Sequence, residues 1–235
     1  MMVLNHGFSG YVCGRVAMPL LRRHAPLSEQ ALGWAFFLGA MLPDGDVISR
    51  LAGHGVYFGH AWYSHRQASH SLLGTAVLAL LVGALLYWPW RRGVGWRGYG
   101  WAVGCLWAGG LLHLVGDLVT PGRALALFWP LPARAGALSH IGWFSPYLAW
   151  MFAATFVLDG ALRGVARVRP AWRPLLSGAT WLLYAATAYR WLHYLYISRY
   201  LSPTQWVEYQ RTLLPDVLVA SSTEGVSLLW GLIAR

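Results

Sequence analysis

A histidine and an aspartate interrupt the long apolar stretch at residues 98–119. His113 and Asp117 are four residues apart, a spacing that places both side chains on one face of a helix with their β-carbons roughly 6 Å apart. An ionisable side chain at membrane depth costs roughly 2.5 kcal/mol or more, which makes such residues candidates for function. The pair is suited to binding one metal ion or two adjacent ions. The structural alternative is a buried His–Asp hydrogen bond that joins two helices.

Two aspartates follow another apolar stretch, at residues 31–42. The sequence Leu-Pro-Asp-Gly-Asp occupies residues 42–46, so that one glycine separates Asp44 from Asp46. Because glycine permits sharp backbone geometry, the two carboxylates can turn toward the same point. One of them could bind a metal ion while the other bridges to a second ion or acts as a base. The alternative is an Asp-Gly turn that ends a helix at the membrane surface.

A third group of polar residues lies in the loop that follows the two aspartates. His65 and His70 are five residues apart, which corresponds to about 500° of rotation on a helix, so only a loop can bring them together. We expect both to bind metal, and we expect Arg66 to pair with an anionic substrate. For His54 and His60, a solvated interfacial loop is the preferred interpretation.

The composition indicates that membrane helices position these side chains. Of the 235 residues, 57% are hydrophobic and 11% are charged, and the mean hydropathy is +0.45, which soluble domains of this size rarely reach. A transmembrane helix needs about 20 apolar residues. We therefore predict an all-α, polytopic helical membrane protein with about five to seven membrane helices and a metal site at the helix ends on one face. The apolar runs are 7–21, 31–42, 71–88, 98–119, 144–162 and 175–197, with 217–234 as a final span or a surface helix.

One membrane-embedded domain of residues 1–235 is the simplest organisation, because the sequence has no internal repeat and no low-complexity linker. The first twenty residues could be mistaken for a cleaved signal peptide. Since His6 and Arg15 interrupt their apolar stretch, we expect this segment to stay in the mature protein, with 7–21 as a short membrane helix.

The arginines predict the orientation in the membrane and argue against a nucleic-acid partner. The formal net charge is +10, and the sequence contains no lysine. The arginines fall mainly in short connections between apolar runs, whereas a nucleic-acid-binding module gathers them on one soluble face. Nine of them lie on one side, which is thereby assigned to the cytoplasm, and six lie on the other, so that the histidine-bearing loops face outward. The nine are Arg22, Arg23, Arg91, Arg92, Arg97, Arg163, Arg167, Arg169 and Arg173, and the six are Arg50, Arg66, Arg123, Arg134, Arg199 and Arg211.

Four separated motifs occur along the first half of the chain. They are His6, Leu-Pro-Asp-Gly-Asp at 42–46, His65-Arg66-x3-His70-Ser-Leu-Leu, and His113-x3-Asp117-x2-Thr-Pro-Gly followed by Phe-Trp-Pro at 128–130. In this order they resemble the YdjM family of membrane-bound, predicted metal-dependent hydrolases. The resemblance covers residues 1–132, and residues 144–235 add only hydrophobic helices. It implies a metal site made of His6, Asp44, Asp46, His65, His70, His113 and Asp117, with Arg66 adjacent.

More distantly, the order of an early histidine, a middle aspartate and later histidines is similar to that of the ligands in zinc-dependent phospholipases C and P1-type nucleases. In that analogy His140 is a further candidate ligand. The likeness favours phosphoester substrates.

The number of candidate ligands favours hydrolysis independently of the family. A closed structural zinc site needs four ligands, whereas seven carboxylate and imidazole candidates without thiolate indicate an open or multinuclear site, for which zinc is the preferred metal. Divalent ions lower the pKa of bound water and polarise a phosphoryl oxygen, and a carboxylate that is not a ligand can take the proton. We expect His113, Asp117 and His70 to share one ion. The residues assigned to catalysis are Asp44, Asp46 and Arg66.

The predicted substrate is an amphiphilic phosphate ester, such as a phospholipid or a lipid-linked phosphate, reached from the extracytoplasmic side of the inner (plasma) membrane. Arg66 or Arg123 would bind its charge. Two alternatives stay open: a metal transporter or sensor, and a non-catalytic scaffold with a structural metal site. A transporter should have polar groups that continue across the bilayer, and the cytoplasmic halves of the predicted spans look apolar in the sequence.

Overall fold

The computed structural model describes residues 3–46, 65–87, 91–119, 124–135 and 146–198, together with residues 200 and 205. Six α-helices account for most of this part of the chain, and its one β feature is an isolated antiparallel bridge between Leu125 and Ala135. The prediction of an all-α protein is therefore confirmed. The helices are α1 (Val3–Leu21), α2 (Glu29–Met41), α3 (Leu72–Tyr87), α4 (Arg91–Val119), α5 (Pro146–Val168) and α6 (Arg173–Ser198).

The observed helices begin and end close to the predicted apolar runs. The largest difference is at α4, which begins at Arg91 rather than at residue 98. Gly95 explains it, because its φ of 64° breaks the helix and leaves residues 91–94 as a separate turn. The predicted tail helix at 217–234 lies outside the described residues.

Serine hydroxyls fix the beginnings of two helices. The Ser28 side chain accepts a hydrogen bond from the backbone N–H of Ala31 at the start of α2. The Ser71 hydroxyl accepts one of 2.8 Å from the backbone N–H of Gly74 at the start of α3. Such caps satisfy backbone donors that the first turn of a helix leaves unpaired.

Helices α2 and α4 approach each other closely through two glycines. A β-carbon at Gly39 would overlap the backbone oxygen of Leu106, and one at Gly109 would overlap that of Phe36. Only glycine fits where two backbones come this close. The contact lies in a buried core that also contains Leu32, and it brings the last turn of α2 against the C-terminal half of α4.

Helix α1 connects the motif-bearing part of the chain to the helices that follow it. It packs against α2 and α4, and also against α5. The contact with α5 is lined by aromatic rings, and α5 in turn packs against α6, where the hydroxyls of Thr155 and Thr187 are 2.8 Å apart. The rings that form this aromatic layer are those of Phe8, Tyr11, Trp34, Phe37 and Phe156.

Consecutive helices run in opposite directions. As a result, α1, α3 and α5 begin at the same end of the bundle at which α2, α4 and α6 end. The pairing of Phe8 with Phe156 and of Tyr11 with Asp159 shows that α1 and α5 run the same way. This arrangement allows residues from distant parts of the sequence to meet at one end.

The membrane character of the bundle is clear for one helix. The stretch Gly95–Leu118 of α4 is long and apolar enough to cross a membrane, and Leu72–Leu86 is apolar but shorter. Large apolar side chains are exposed on other helices too, such as Leu85 on α3 and Leu182 on α6. Exposed apolar surface is typical of contact with lipid or with a partner. This finding concerns individual helices, and the total of five to seven spans stays a prediction.

Candidate metal centre

The end of the bundle where α1 begins gathers polar side chains from four segments. His6 lies in the first turns of α1, and the last turns of α4 contribute two more residues. A 3-10 turn after α2 (Pro43–Asp46) and the segment 65–70 before α3 supply the others. These segments bring together all seven predicted metal ligands and the arginine predicted beside them. The residues are His6, Asp44, Asp46, His65, Arg66, His70, His113 and Asp117.

A first trio consists of His6, His113 and Asp117. One ligand atom from each lies within 4.8 Å of the other two. Nε2 of His6 is 3.5 Å from Oδ1 of Asp117, and Nε2 of His113 is 3.6 Å from Oδ2 of the same carboxylate. The two imidazole rings stack, with their centroids 3.7 Å apart. All three residues are buried.

A second trio consists of Asp44, His65 and His70, whose ligand atoms also lie within 4.8 Å of one another. Nε2 of His70 is 3.4 Å from Oδ1 of Asp44, and Nδ1 of His65 is 3.9 Å from that oxygen. The trios adjoin, because Nε2 of His113 lies 3.6 Å from Oδ1 of Asp44. They therefore form a single centre with two halves.

The backbone of α2 sets the orientation of one imidazole. Nδ1 of His113 donates a hydrogen bond of 2.8 Å to the carbonyl oxygen of Ala40. A neutral imidazole that donates through Nδ1 carries its lone pair on Nε2, which here faces Asp44 and Asp117. The close approach of α2 and α4 thus prepares His113 as a ligand.

Asp46 lies outside both trios and contacts the imidazoles of the second one. Its carboxylate is 3.1 Å from Nδ1 of His65 and 3.2 Å from Nδ1 of His70, and it accepts a hydrogen bond of 2.8 Å from the Ser69 hydroxyl. Contact at Nδ1 leaves Nε2 of His70 directed toward Asp44 and Asp117. A carboxylate in this position orients a metal-binding histidine and raises its basicity.

Arg66 is buried beside the first trio. Its guanidinium lies 3.4 Å from Oδ1 of Asp117, and its φ of 66° is in the left-handed region, which non-glycine residues seldom adopt. The segment 124–135 holds this backbone in place, because the N–H of Ala126 donates to the carbonyl oxygen of Arg66. Backbone strain of this kind persists only where the surrounding structure maintains it, and it occurs often at functional sites.

The charges at this centre favour a bound cation. Burial raises the pKa of Asp44, but the neighbouring histidines outweigh it and hold the pKa of that carboxyl well below its usual range. Burial likewise raises the pKa of Asp46, and hydrogen bonds from His65 and His70 lower it to about 2. Burial lowers the pKa of His70, and Asp44 and Asp46 raise it to about 9. The carboxylates are therefore ionised at neutral pH and stabilise positive charge on His70, and a metal ion bound at Nε2 would replace that proton.

The donor atoms fit a divalent metal ion. Within the described ranges, Nε2 of His6, His70 and His113 and Oδ2 of Asp44 are buried and make no hydrogen bond. Each buried polar atom left without a partner costs about 1–3 kcal/mol, and binding an ion would remove that cost. Imidazole nitrogen with carboxylate oxygen is a donor set that zinc accepts. The two buried His/Asp trios could therefore hold metal.

The structure adds detail to the sequence-based prediction of how the ligands are divided. The prediction that His70 shares an ion with His113 and Asp117 stays a prediction, and the structure adds His6 to this pair, because the start of α1 packs against the end of α4. His70 groups with Asp44, and its Nε2 is 3.6 Å from Oδ2 of Asp117. The remaining candidates lie outside the described residues, and they are His54, His60, Arg123 and His140.

Sequence reasoning did not single out one buried acid, Asp159. It lies within the apolar run at 144–162 and is fully buried on α5. Nε of Arg163, one helical turn later, donates hydrogen bonds of 2.8 and 2.9 Å to its carboxylate. An aspartate with an arginine four residues later inside an apolar run is the signal that could have revealed it.

The fold and the site together define the class of protein. It is an all-helical protein with a buried His/Asp centre at the ends of its helices. The chain belongs to the YdjM inner membrane protein family, whose model matches residues 1–199. The match confirms the resemblance seen in the sequence and extends it past residue 132 to α5 and α6. The family description also supports the inner membrane as the location. No curated protein and no solved structure matches the chain, and the likeness to zinc-dependent phospholipases C and P1-type nucleases stays a prediction.

Proposed function

We propose that this protein is a membrane-bound, metal-dependent hydrolase of a phosphate ester or a lipid-linked phosphate. The observation that carries the proposal is the contact between the two trios. Nε2 of His113 lies 3.6 Å from Oδ1 of Asp44, and Nε2 of His70 lies 3.6 Å from Oδ2 of Asp117. A structural zinc site closes with four ligands, whereas two adjoining trios leave coordination positions open. Paired sites with open positions are common among enzymes that hydrolyse phosphoesters.

The ligands divide between two positions for a divalent ion, with zinc as the preferred metal. The first position uses the trio of His6, His113 and Asp117, and the second uses Asp44, His65 and His70. When bound, such an ion polarises a phosphoryl oxygen and lowers the pKa of a coordinated water. The protein supplies the fixed geometry, through the stacked rings of the first trio and the hydrogen bond that orients His113.

The two aspartates of the 3-10 turn have different roles in this arrangement. Asp46 contacts Nδ1 of His70, so it orients this imidazole, whose Nε2 faces Asp44 and Asp117. Asp44 contacts donors of both trios and lies where the trios meet. It is the better placed carboxylate to bridge two ions or, if it is not itself a ligand, to accept a proton from the attacking water.

Arg66 supplies the positive charge for an anionic substrate. Its guanidinium is buried at the edge of the first trio and pairs with Asp117. An arginine binds phosphate through parallel hydrogen bonds, and a buried one does so with little screening by solvent. Because Arg66 contacts a ligand of the first trio, an anionic group bound beside that trio would lie next to its guanidinium.

The membrane arrangement suggests which substrates reach the centre. Six antiparallel helices place the centre at one end of the bundle, and Arg22, Arg97, Arg167 and Arg169 lie at the opposite end. By the positive-inside rule that opposite end is cytoplasmic, and the centre then faces the extracytoplasmic side of the inner membrane. A phosphate ester with an apolar tail in the outer leaflet is the substrate class that fits this position.

Transport is the main alternative. From the sequence, the cytoplasmic halves of the spans looked apolar, which argued against transport. In the structure, however, Asp159 and Arg163 form an ion pair within α5. The aromatic layer around Tyr11 and Phe156, however, lies between this pair and the metal centre. Polar groups of the described residues therefore do not form an unbroken path along α1, which favours a reaction at one surface over passage of an ion.

Metal content and hydrolysis measured on the same samples test the proposal. The purified protein should contain about one or two zinc ions per chain and should hydrolyse at least one compound in a set of phosphodiesters, phosphomonoesters and phospholipids. His113→Ala should lower both the metal content and the rate. Arg66→Lys should keep the metal, yet lower kcat/KM, because lysine lacks the paired donors of arginine.

His24→Ala is the matched control, because His24 is an exposed histidine at the opposite end of the bundle. This substitution should change neither the metal content nor the rate of hydrolysis. A wild-type protein with bound metal and no activity on any class of phosphoester would favour the scaffold or transport alternatives. A preparation that never contains metal would rule out the proposed centre.

A further inference from the structure

A cavity with charged residues in its lining lies at the end of the bundle opposite the metal centre. It has a volume of about 530 Å³ and lies between α1, α2, α5 and α6. Arg15 on α1 is nine residues from His6, which is about 14 Å along the helix axis, and the aromatic layer packs between the two regions. The cavity is therefore separate from the proposed catalytic centre. Its charged lining residues are Arg15, Arg22, Glu29, Arg163 and Arg173.

The deepest of these arginines is only partly paired. The Arg15 side chain is 8% exposed, and its guanidinium lies 3.3 Å from Oε2 of Glu29. Its Nε–H has no hydrogen-bond acceptor within the described part of the chain. A buried guanidinium donor without an acceptor is costly, and an anion in the cavity would satisfy it.

The nearby carboxylates neutralise only part of the charge. The Asp159 carboxylate forms an ion pair with Arg163 at 2.8 and 2.9 Å and so neutralises its charge. Glu29 is shared, because Oε1 lies 3.7 Å from Arg22 while Oε2 contacts Arg15. Arg173 donates to a backbone carbonyl oxygen. Four arginines thus face two carboxylates, and the excess of positive charge suits a group that carries one or two negative charges, such as a phosphate.

The rest of the lining is apolar and continues to the outer surface of the bundle. Met18 and Leu162 line the cavity, and the exposed Trp181 lies at its wall. Leu175 and Leu182, nearby on α6, are 72% and 73% exposed. A ligand that fills this space places a charged group against the arginines and an apolar part along α6, which is the chemistry of a phospholipid.

We propose that this cavity binds the phosphate of an anionic phospholipid from the leaflet at the arginine-rich end of the bundle. The bound headgroup joins α1 and α2 to α5 and α6, because arginines from both pairs of helices face it. The proposal is independent of hydrolysis at the metal centre. A lipid headgroup and free phosphate share the recognising chemistry, so the experiment must distinguish them.

Thermal unfolding of the full chain in detergent micelles tests the proposal with three probes: phosphatidylglycerol, phosphatidylcholine and inorganic phosphate. Phosphatidylglycerol should raise the Tm of the wild type with a saturating dose dependence, and phosphatidylcholine should raise it much less. In the double variant Arg22→Gln/Arg173→Gln, half-saturation should require about tenfold more phosphatidylglycerol or more, since two charge-assisted contacts are lost.

The matched control is Arg167→Gln/Arg169→Gln, which removes the same charge from exposed arginines at the same end that do not line the cavity. It should keep the wild-type response. An equal loss in both double variants would overturn the proposal, because it would indicate general attraction to an anionic surface. A full response to inorganic phosphate alone would overturn the assignment to a lipid. A wild type that does not respond to phosphatidylglycerol would overturn the site itself.

Discussion

The imidazole rings of His6 and His113 stack with their centroids 3.7 Å apart and their planes inclined by 27°. One ring belongs to the first turns of α1 and the other to the last turns of α4. Gly116 makes this contact possible, because a β-carbon at that position would lie 3.0 Å from Cε1 and 3.2 Å from Nδ1 of His6. The first trio therefore depends on the absence of a side chain at one residue of α4.

Gly116→Ala should weaken metal binding without removing any ligand. The added methyl group displaces the His6 imidazole from its present position in the first trio, and a small displacement of a ligand is sufficient to lower the affinity. We expect an increase of about tenfold or more in the dissociation constant for zinc, measured by competition with a chelator.

Gly104→Ala is the control for this substitution, because a β-carbon at Gly104 meets no atom within 4 Å. It should leave zinc binding unchanged and stabilise α4 by about 0.5–1 kcal/mol, the usual gain from alanine in a helix. Equal zinc affinity in Gly116→Ala and in the wild type would show that the position of His6 does not limit zinc binding.

Asp44→Asn and Asp46→Asn should have different effects on the metal. Asp44 belongs to a trio, so its substitution should reduce the number of ions bound per chain. Asp46 orients His70, and its substitution should retain the number of ions while lowering the affinity by about 10- to 100-fold. Elemental analysis together with chelator competition separates the two outcomes.

Both variants should remain folded, because asparagine keeps the size and most of the hydrogen bonds of aspartate. Hydrolysis should fall by about 10²- to 10⁴-fold in Asp44→Asn if this carboxylate accepts the proton. Full activity in both variants would remove the catalytic assignment. If both unfold, a structural role for the turn is favoured.

The helices and most residues of the centre were predictable from local sequence, whereas His6 was expected as a ligand only from the resemblance to the YdjM family. The hydrophobic runs predicted both ends of α2 and α3 to within two residues. Their apolar residues are contiguous and are bounded by a serine cap, proline or glycine. His113 and Asp117 were identifiable because they are ionisable residues in an apolar run. The start of α4 was not, because it depends on the positive φ of Gly95.

The division of the ligands into trios was not predictable, because it depends on how the helices pack. The sequence does not show that Gly39 lets α2 approach α4, nor that Ala40 consequently accepts a hydrogen bond from His113. The outer position of Asp46 likewise follows from its contacts with residues about 20 positions later. Such long-range contacts have no local signature in one sequence.

Labelling of single cysteines should reveal the side of the metal centre. Leu131, in the segment that contacts Arg66 and α3, is 64% exposed, and Trp172, at the opposite end, is 56% exposed. If the arginine-rich end is cytoplasmic, Leu131→Cys should react with a membrane-impermeant thiol reagent in intact cells, and Trp172→Cys should react only after lysis. The wild type, with Cys13 and Cys105, provides the background. The reverse pattern would place the centre in the cytoplasm.

Removal of metal should loosen the end of the bundle at which the centre lies. Three carboxylates and four imidazoles are concentrated there, and two of the segments that carry them, 43–46 and 65–70, are joined to each other through the side chains of Asp44, Asp46, His65 and His70. An ion that binds only the folded state stabilises it by about 2.7 kcal/mol at a hundredfold excess over its dissociation constant. A chelator should therefore lower the Tm of the wild type, and zinc in excess of the chelator should restore it.

The same treatment of His113→Ala distinguishes this effect from an action of the chelator on lipid or detergent. This variant lacks a ligand of the first trio, so its Tm in the absence of chelator should already be lower, and the further decrease on chelation should be smaller than in the wild type. Limited proteolysis gives a local measurement, because loss of metal should expose the 65–70 segment to cleavage before the helices unfold. An identical decrease in Tm for both proteins, with no new cleavage near residue 66, would show that the trios hold no stabilising ion.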